Sequence, residues 1–334
     1  MEKEALFYKK LKNNSVQCQL CPHFCTINSG EKGKCRVRLN KKGKLISLVY
    51  NKPCSVATDP IEKKPFYHFL PGKEALSIAT AGCNLSCLHC QNYTISQVDP
   101  EKINTLTLTP EEVIETCKKK KIRIISFTYT EPTVFYEYML DIAKLAKKAR
   151  IKCTIVSNGF INKKPLKKLI SHIKAANIDL KGNAKFYEEV CGGNLDSVLK
   201  TIKLLHESKV WLEITNLIIP GYNDSDEEIK KRIEWVKNNL GEDVPLHFSA
   251  FYPCYKLTNI QSTDPAILTK ARIIAKSKGL KYVYTGNVRD VQGSTTFCPR
   301  CNEALLVRQT FNLIKKKLKK GGCKCGEKIP GVWR

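Results

Sequence analysis

Hydrophobic positions along this chain switch repeatedly between a strand-like and a helix-like spacing. Leu76-Ser77-Ile78-Ala79-Thr80 is a short apolar run that predicts a buried strand. Thr109-Pro110-Glu111-Glu112 joins an N-cap threonine, a proline at the first helical position and a glutamate at N3, so a helix is expected to run to about Lys120. Ile122 to Phe127 reads as the next strand, and further strands are expected at 151–156, 175–180, 210–219, 245–251 and 281–285. Between them, amphipathic helical patterns lie near 134–149, 163–172, 195–208, 225–239 and 265–278. Strands alternating with helices signal an α/β fold with a parallel sheet. Six or seven such units fall short of a closed eight-unit barrel, so the expectation is an open, partial (β/α)6 TIM-like barrel with its site at the carboxyl ends of the strands. This core spans 73–290. A segment at 1–72 precedes it and a module at 291–334 follows.

Composition adds an environment. The chain has 16 cysteines, opens Met1-Glu2-Lys3-Glu4-Ala5 without an apolar signal region, and has no apolar run of the roughly 18 residues expected of a membrane span. A cytoplasmic protein whose thiols bind metal is therefore expected, with no membrane partner. Lys+Arg 57 against Asp+Glu 31 gives a net charge of +26, a field suited to anionic substrates, nucleic acid or an acidic partner protein. Much of it sits in runs such as Lys118 to Lys121 and Lys315 to Lys317, which read as solvated faces and lack interleaved aromatics for stacking bases.

The chemistry concentrates after the first core strand, in Cys83-Asn84-Leu85-Ser86-Cys87-Leu88-His89-Cys90-Gln91-Asn92. A four-iron cluster normally takes four thiolates, and Cys83, Cys87 and Cys90 supply three. One iron stays open for a substrate or cosubstrate, as a catalytic metal site keeps a position that a structural one closes. A partial zinc site or buried structural cysteines are the alternatives, and the triplet alone favours the cluster over them.

This spacing, with His89 just before the last cysteine, resembles the cluster loop of radical S-adenosylmethionine enzymes. There the open iron chelates the amino and carboxylate groups of S-adenosylmethionine, whose reductive cleavage gives a 5′-deoxyadenosyl radical. Thr128-Tyr129-Thr130-Glu131-Pro132 stands where the superfamily usually carries Gly-Gly-Glu; the resemblance gives Thr130 and Glu131 the amino group of the cosubstrate, with threonine and tyrosine replacing both glycines. From about 76 to 255 the chain looks like the pyruvate formate-lyase activating enzymes, which implies Asn158, Asp179, Lys181 and His247 near S-adenosylmethionine. Two positions depart from that pattern. Val156 replaces an aspartate that helps hold a monovalent cation, and Glu213 replaces an arginine that touches S-adenosylmethionine.

Two further cysteine groups flank the core. Cys18, Cys21, Cys25 and Cys35 fall within a small polar segment that cannot build a large core, so a closed metal site is expected; zinc and a second cluster both suit the spacing, with zinc slightly preferred as structural. Cys298-Pro299-Arg300-Cys301 and Cys323-Lys324-Cys325, separated by a helical or hairpin insert, read as a zinc-ribbon-like module. Cys117 and Cys153 fall in predicted elements and read as buried apolar residues. The layout resembles the radical enzyme of the AmmeMemoRadiSam system, through Cys18-x-x-Cys21-Pro22-His23-x-Cys25, the run Thr58 to Gly72, Cys90-Gln91-Asn92, Tyr129-Thr130-Glu131-Pro132 and Ile329-Pro330-Gly331-Val332-Trp333. That resemblance implies work alongside Memo-like and AMMECR-like proteins. Within Asp59 to Gly72, Glu62, Tyr67 and His68 could contact substrate, although a linker packing its aromatics on the core accounts for them more simply.

The preferred reading is a radical enzyme that abstracts hydrogen from a protein or small molecule, fed by ferredoxin or flavodoxin. Radical modification of RNA and noncatalytic binding of metal and nucleic acid are the alternatives.

Overall fold

The computed structural model describes residues 2–334. One eight-stranded sheet runs in chain order: β1 (Pro53–Pro60), β2 (Glu74–Thr80), β3 (Ile124–Phe127), β4 (Lys152–Ser157), β5 (Ala175–Asp179), β6 (Trp211–Ile218), β7 (Leu246–Ala250) and β8 (Val283–Gly286). β1 pairs antiparallel with β2, and each later pairing is parallel. One longer helix lies between each successive pair from β2 to β8: α1 (Pro110–Lys119), α2 (Tyr136–Lys148), α3 (Lys163–Ile170), α4 (Leu195–Glu207), α5 (Asp226–Leu240) and α6 (Pro265–Ser277). The sheet order ends at β1 and β8, which do not pair, so the barrel is open. The expected partial barrel is therefore present, with its strands and helices near the positions the hydrophobic pattern indicates.

Local chemistry explains the element ends. Thr109 Oγ1 accepts from the Glu112 amide at 3.3 Å and Glu112 Oε2 accepts from the Thr109 amide at 2.7 Å, a reciprocal cap that starts α1. Asn194, Ser225 and Asp264 cap α4, α5 and α6 through their side-chain oxygens. All four residues of β3 are buried, as expected for a parallel strand covered on both faces.

β1 is the element that the hydrophobic pattern did not announce. Its side chains are mostly half-buried, so no alternation marks it, and the run expected to be a linker begins as an edge strand of the main sheet. The chain then turns into the barrel. Ile61, Phe66, Phe69 and Leu70 pack with Ala75, Ile124, Ala175, Val156, Trp211 and Val332, which fills the amino-terminal end of the interior. The aromatics of this segment thus do pack on the core, as the simpler expectation held.

The flanking segments are small antiparallel sheets. At the amino end, Tyr8–Lys10, Val16–Cys18 and Thr26–Ile27 form one, and Lys3–Glu4, Lys44–Ser47 and Arg38–Lys41 form another. At the carboxyl end, Thr296–Phe297, Ala304–Gln309 and Asn312–Lys316 form a third, so the insert between the two cysteine pairs is a hairpin. Both flanks are bolted to the barrel by buried arginines. Arg38 meets Glu137 of α2 through Nη2, at 2.9 and 2.8 Å from its two carboxylate oxygens. Arg308 donates to the Tyr67 carbonyl at 2.7 Å and to Thr296 Oγ1 at 3.0 Å, with its guanidinium 4.0 Å from the centre of the Tyr67 ring. Among the described residues no helix is long and apolar enough to cross a membrane.

His68 ties the last residues down. Its Nδ1 donates to the Pro330 carbonyl at 2.7 Å, and its Nε2 lies 2.6 Å from the Tyr284 hydroxyl, which fixes a neutral ring with the proton on Nδ1. Burial pushes its pKa down from 6.5 to about 4. The folded state therefore binds fewer protons than the unfolded chain between those values. The stability this group contributes is whole above pH 6.5 and is lost as pH falls toward 4, by about 3 kcal/mol. Denaturant titrations at stepped pH should show the decline, and His68→Gln should flatten it; an equal slope in the variant would refute the assignment.

Candidate functional site

A cavity of about 460 Å³ opens at the carboxyl ends of the strands. The loop after β2 brings Cys83, Cys87 and Cys90 to its wall; the loops after β3, β4, β5 and strand β7 bring Thr130 and Glu131, Asn158, Asp179 and Lys181, and His247. All nine residues expected from the sequence thus share one chamber.

The cysteine loop is held from behind. The Ser86 amide donates to the Cys191 carbonyl and the Leu88 amide to the Val190 carbonyl, both at 2.9 Å. Those carbonyls belong to a π-helical turn, Tyr187–Cys191, ended by Gly192 and Gly193. A Cβ on Gly192 would lie 2.4 Å from Ser86 Oγ, and one on Gly193 2.6 Å from Leu85 Cδ2, so the two segments meet backbone to side chain. Cys191, which the sequence left unassigned, has its sulfur grouped with Cys87 and His89 within 4.8 Å. It lies behind Cys87 rather than on the cavity wall. His89 Nδ1 is buried with no hydrogen-bond partner, and Asn158 Nδ2 approaches Cys83 Sγ at 3.7 Å.

Glu131 braces two strand ends. Its carboxylate accepts from the Thr133 amide (2.9 Å), Ser157 Oγ (2.8 Å) and the Asn158 amide (2.9 Å). Burial pushes this carboxyl up against the pull of those donors. Tyr129 occupies the left-handed region at φ 66°, the conformation glycine would adopt without cost, and its replacement of glycine is held by two contacts. Asn92 Nδ2 donates to its carbonyl at 2.7 Å, and its hydroxyl donates to Asp59.

Asp179 and Lys181 form an ion pair at 2.7 Å. Burial opposes the Lys181 charge, but Asp179 and the nearby Cys87 and Cys191 sulfurs outweigh it and hold the ammonium well above its usual range. A second cationic group sits opposite, and the sequence reading missed it. Asp59 takes Lys63 and Lys64 at 2.8 Å each and Ser77 Oγ at 2.7 Å, while Lys64, only 1% exposed, is pushed down to about 8 by burial. The paired lysines before Pro65 were its only sequence signal.

Of the three residues weighed for substrate contact, Glu62 and Tyr67 line the cavity; His68 is committed to packing and to Pro330. Phe311, at the tip of the carboxyl-terminal hairpin, also reaches the cavity wall. Val156 lines it where the activating enzymes carry aspartate. Glu213 is buried beneath it. Its carboxylate accepts from the Tyr67 and His68 amides, from Trp211 Nε1 at 3.0 Å and from His247 Nε2 at 2.7 Å. Burial raises the Glu213 carboxyl, yet the His247 bond and the other donors hold it below its ordinary value.

The sulfurs of Cys298, Cys301, Cys323 and Cys325 all lie within 4.8 Å of one another, with Cys298–Cys325 and Cys301–Cys323 at 3.6 Å. Four thiolates about 2.3 Å from one ion stand about 3.8 Å apart, so this group is the size of a single-ion tetrahedron.

The Radical SAM superfamily matches residues 77–236. An uncharacterized protein of Methanocaldococcus jannaschii is 47% identical over 330 residues, which cover 98% of this chain and 98% of that one. The chain belongs to the radical SAM superfamily. Its relatives there include the pyruvate formate-lyase-activating enzyme of Clostridium pasteurianum, 26% identical over 207 residues, 55% of this chain and 82% of that one. In fold it is similar to the crystal structure of Streptococcus suis SuiB bound to precursor peptide SuiA, with a TM-score of 0.50 and 16% identity over 68% of this chain and 51% of that one.

Removing the Glu213 carboxylate would leave four buried donors facing nothing. Glu213→Ala should destabilise the fold by about 3–5 kcal/mol. Thermal melts of the variant check this, and a loss below 1 kcal/mol would contradict the bracing role.

Proposed function

We propose that the protein binds a [4Fe-4S] cluster through Cys83, Cys87 and Cys90 and cleaves S-adenosylmethionine reductively for hydrogen abstraction, in the manner of an activating enzyme. The observation that carries the reading is the single cavity shared by a three-thiol loop, the polar groups of three further strand ends, and His247 near the start of β7. The donor set fits: three thiols face the chamber, Cys191 is turned behind them, and the neighbouring His89 Nδ1 has no protein partner. When bound, the cluster would supply one low-potential electron and an open iron.

The chain's own residues have the complementary tasks. Thr130 and Glu131 present oxygen to an amino group, and the brace from Ser157 and the Asn158 amide fixes the direction of that carboxylate. Lys181, kept charged by Asp179, meets a carboxylate or the negative charge of thiolates. His247 is held in one orientation by Glu213 and lies edge to face with Tyr67 at 4.8 Å between centroids. The far wall, with Lys63, Lys64, Glu62 and Phe311, is left for the substrate, a protein segment or a small molecule. An electron donor of ferredoxin or flavodoxin type is required. The finer placement in the AmmeMemoRadiSam branch rests on the motifs quoted above. In the carboxyl-terminal module the tetrahedral sulfur group is assigned to zinc.

Anaerobic protein reconstituted with iron and sulfide, then given dithionite and S-adenosylmethionine, should yield 5′-deoxyadenosine by mass spectrometry. Cys87→Ala should abolish it and Lys181→Ala should lower it at least tenfold. Reconstituted wild type that forms none would refute the reading. Separately, strong chelation of the purified protein should remove one zinc and lower the melting temperature, and Cys301→Ser should arrive with that zinc already missing; full zinc content in the variant would exclude the site.

A further inference from the structure

Cys18, Cys21, Cys25 and Cys35 all line one narrow cavity in the amino-terminal segment, apart from the chamber at the strand ends. Four soft sulfur donors around one space suit zinc or an iron–sulfur cluster. One observation separates these, and two more describe how the site is seated.

The first is spread. Among the described residues, two groups of histidine, cysteine or acidic side chains bring three or more ligand atoms within 4.8 Å of each other: the carboxyl-terminal quartet, and Cys87 with His89 and Cys191. The amino-terminal quartet is not drawn in that far, and neither is the Cys83, Cys87 and Cys90 triplet. A single zinc needs every sulfur about 2.3 Å from one point. A cluster gives each thiolate its own iron, so its ligands stand further apart, and here the quartet shares the looser spacing of the cluster loop.

The second is an orphaned donor. Arg38 is 1% exposed and lies on the cavity wall. Its Nη2 is spent on Glu137 and its Nη1 on the Leu6 carbonyl at 3.4 Å, and its Nε, like those of Arg232 and Arg308, has no partner. A buried N–H left without an acceptor is unfavourable. Thiolates bound to either zinc or a cluster would bring negative charge beside this guanidinium.

The third is position. Asn84, one residue past Cys83, lines this same cavity from the barrel side. Its carbonyl accepts from His23 Nε2 at 2.7 Å, and its Oδ1 accepts from Asn158 Nδ2 at 2.9 Å. Gly82, at φ 94°, lies against the quartet itself, since a Cβ there would come 2.7 Å from the Cys35 carbonyl oxygen and 2.6 Å from Val37 Cγ1. One loop therefore forms a wall of both sulfur sites.

We infer that Cys18, Cys21, Cys25 and Cys35 hold a second, fully ligated iron–sulfur cluster, seated against the back of the loop that carries Cys83. The zinc preferred from sequence gives way to this assignment.

The test uses the full chain with Cys83→Ala, Cys87→Ala and Cys90→Ala combined, reconstituted anaerobically. The expected result is retention of about half of the wild-type iron with matching sulfide, a cluster signature by Mössbauer spectroscopy, and loss of that iron when Cys25→Ser is added. A triple variant free of iron but carrying two zinc ions, or residual iron unmoved by Cys25→Ser, would overturn the assignment. The one-half ratio rests on the proposed cluster at Cys83, Cys87 and Cys90, whereas iron that the triple variant keeps and loses with Cys25→Ser reads the amino-terminal site whether or not the wild type forms 5′-deoxyadenosine.

Discussion

The buried Glu213 carboxylate is the constraint around which the interior of this protein is organised. An open barrel has an inside that must be filled, and here the filling is a stretch of chain, Ile61 to Leu70, carrying its own backbone N–H groups. Glu213 meets that demand at Tyr67 and His68 while holding Trp211 and His247. A charged group so deep is tolerable because its lone pairs are occupied by donors. The glutamate at this position, where the resemblance to the activating enzymes implies an arginine, is thus accounted for as a strut inside the barrel.

The strut couples scaffold to chemistry. His247 reaches the chamber from one side of Glu213, and the Tyr67–His68 pair reaches the carboxyl-terminal module from the other through Arg308, Tyr284 and Pro330. Glu131 repeats the pattern on a smaller scale, joining the ends of β3 and β4 while fronting the cavity. Buried carboxylates therefore tie strands and loops together around the thiol loop, whose own sequence is short and irregular.

Most of the barrel was legible because parallel strands buried on both faces and one-sided helices leave opposite periods in the chain. The thiol loop and its companions at strand ends were legible for the same reason, since topology brings every such end to one face. What escaped were contacts with no local signature. β1 is half-buried along its length and carries no alternation. Arg308 sits in a strand whose neighbours give no hint that its guanidinium is buried, and its Tyr67 partner is 241 positions away. Cys191 looked like a spare thiol because the π turn that brings it behind Cys87 is a tertiary feature. The Asp59 cluster with Lys63, Lys64 and Tyr129 required β1 to be recognised first.

The two flanking modules solve one physical problem in different ways. Each is too small to bury much apolar surface by itself, so each depends on an anchor in the barrel. The carboxyl-terminal hairpin gathers its sulfurs to single-ion distance and sends Arg308 into the barrel, where the guanidinium closes over the Tyr67 ring. The amino-terminal segment keeps its sulfurs wider and sends in Arg38, which pairs with Glu137 and lies on the wall of the cavity those sulfurs line. Each arginine is tied to the barrel through its terminal nitrogens while its buried Nε stays unpartnered, and that of Arg38 belongs to a side chain on the wall of the cavity that the four thiols line.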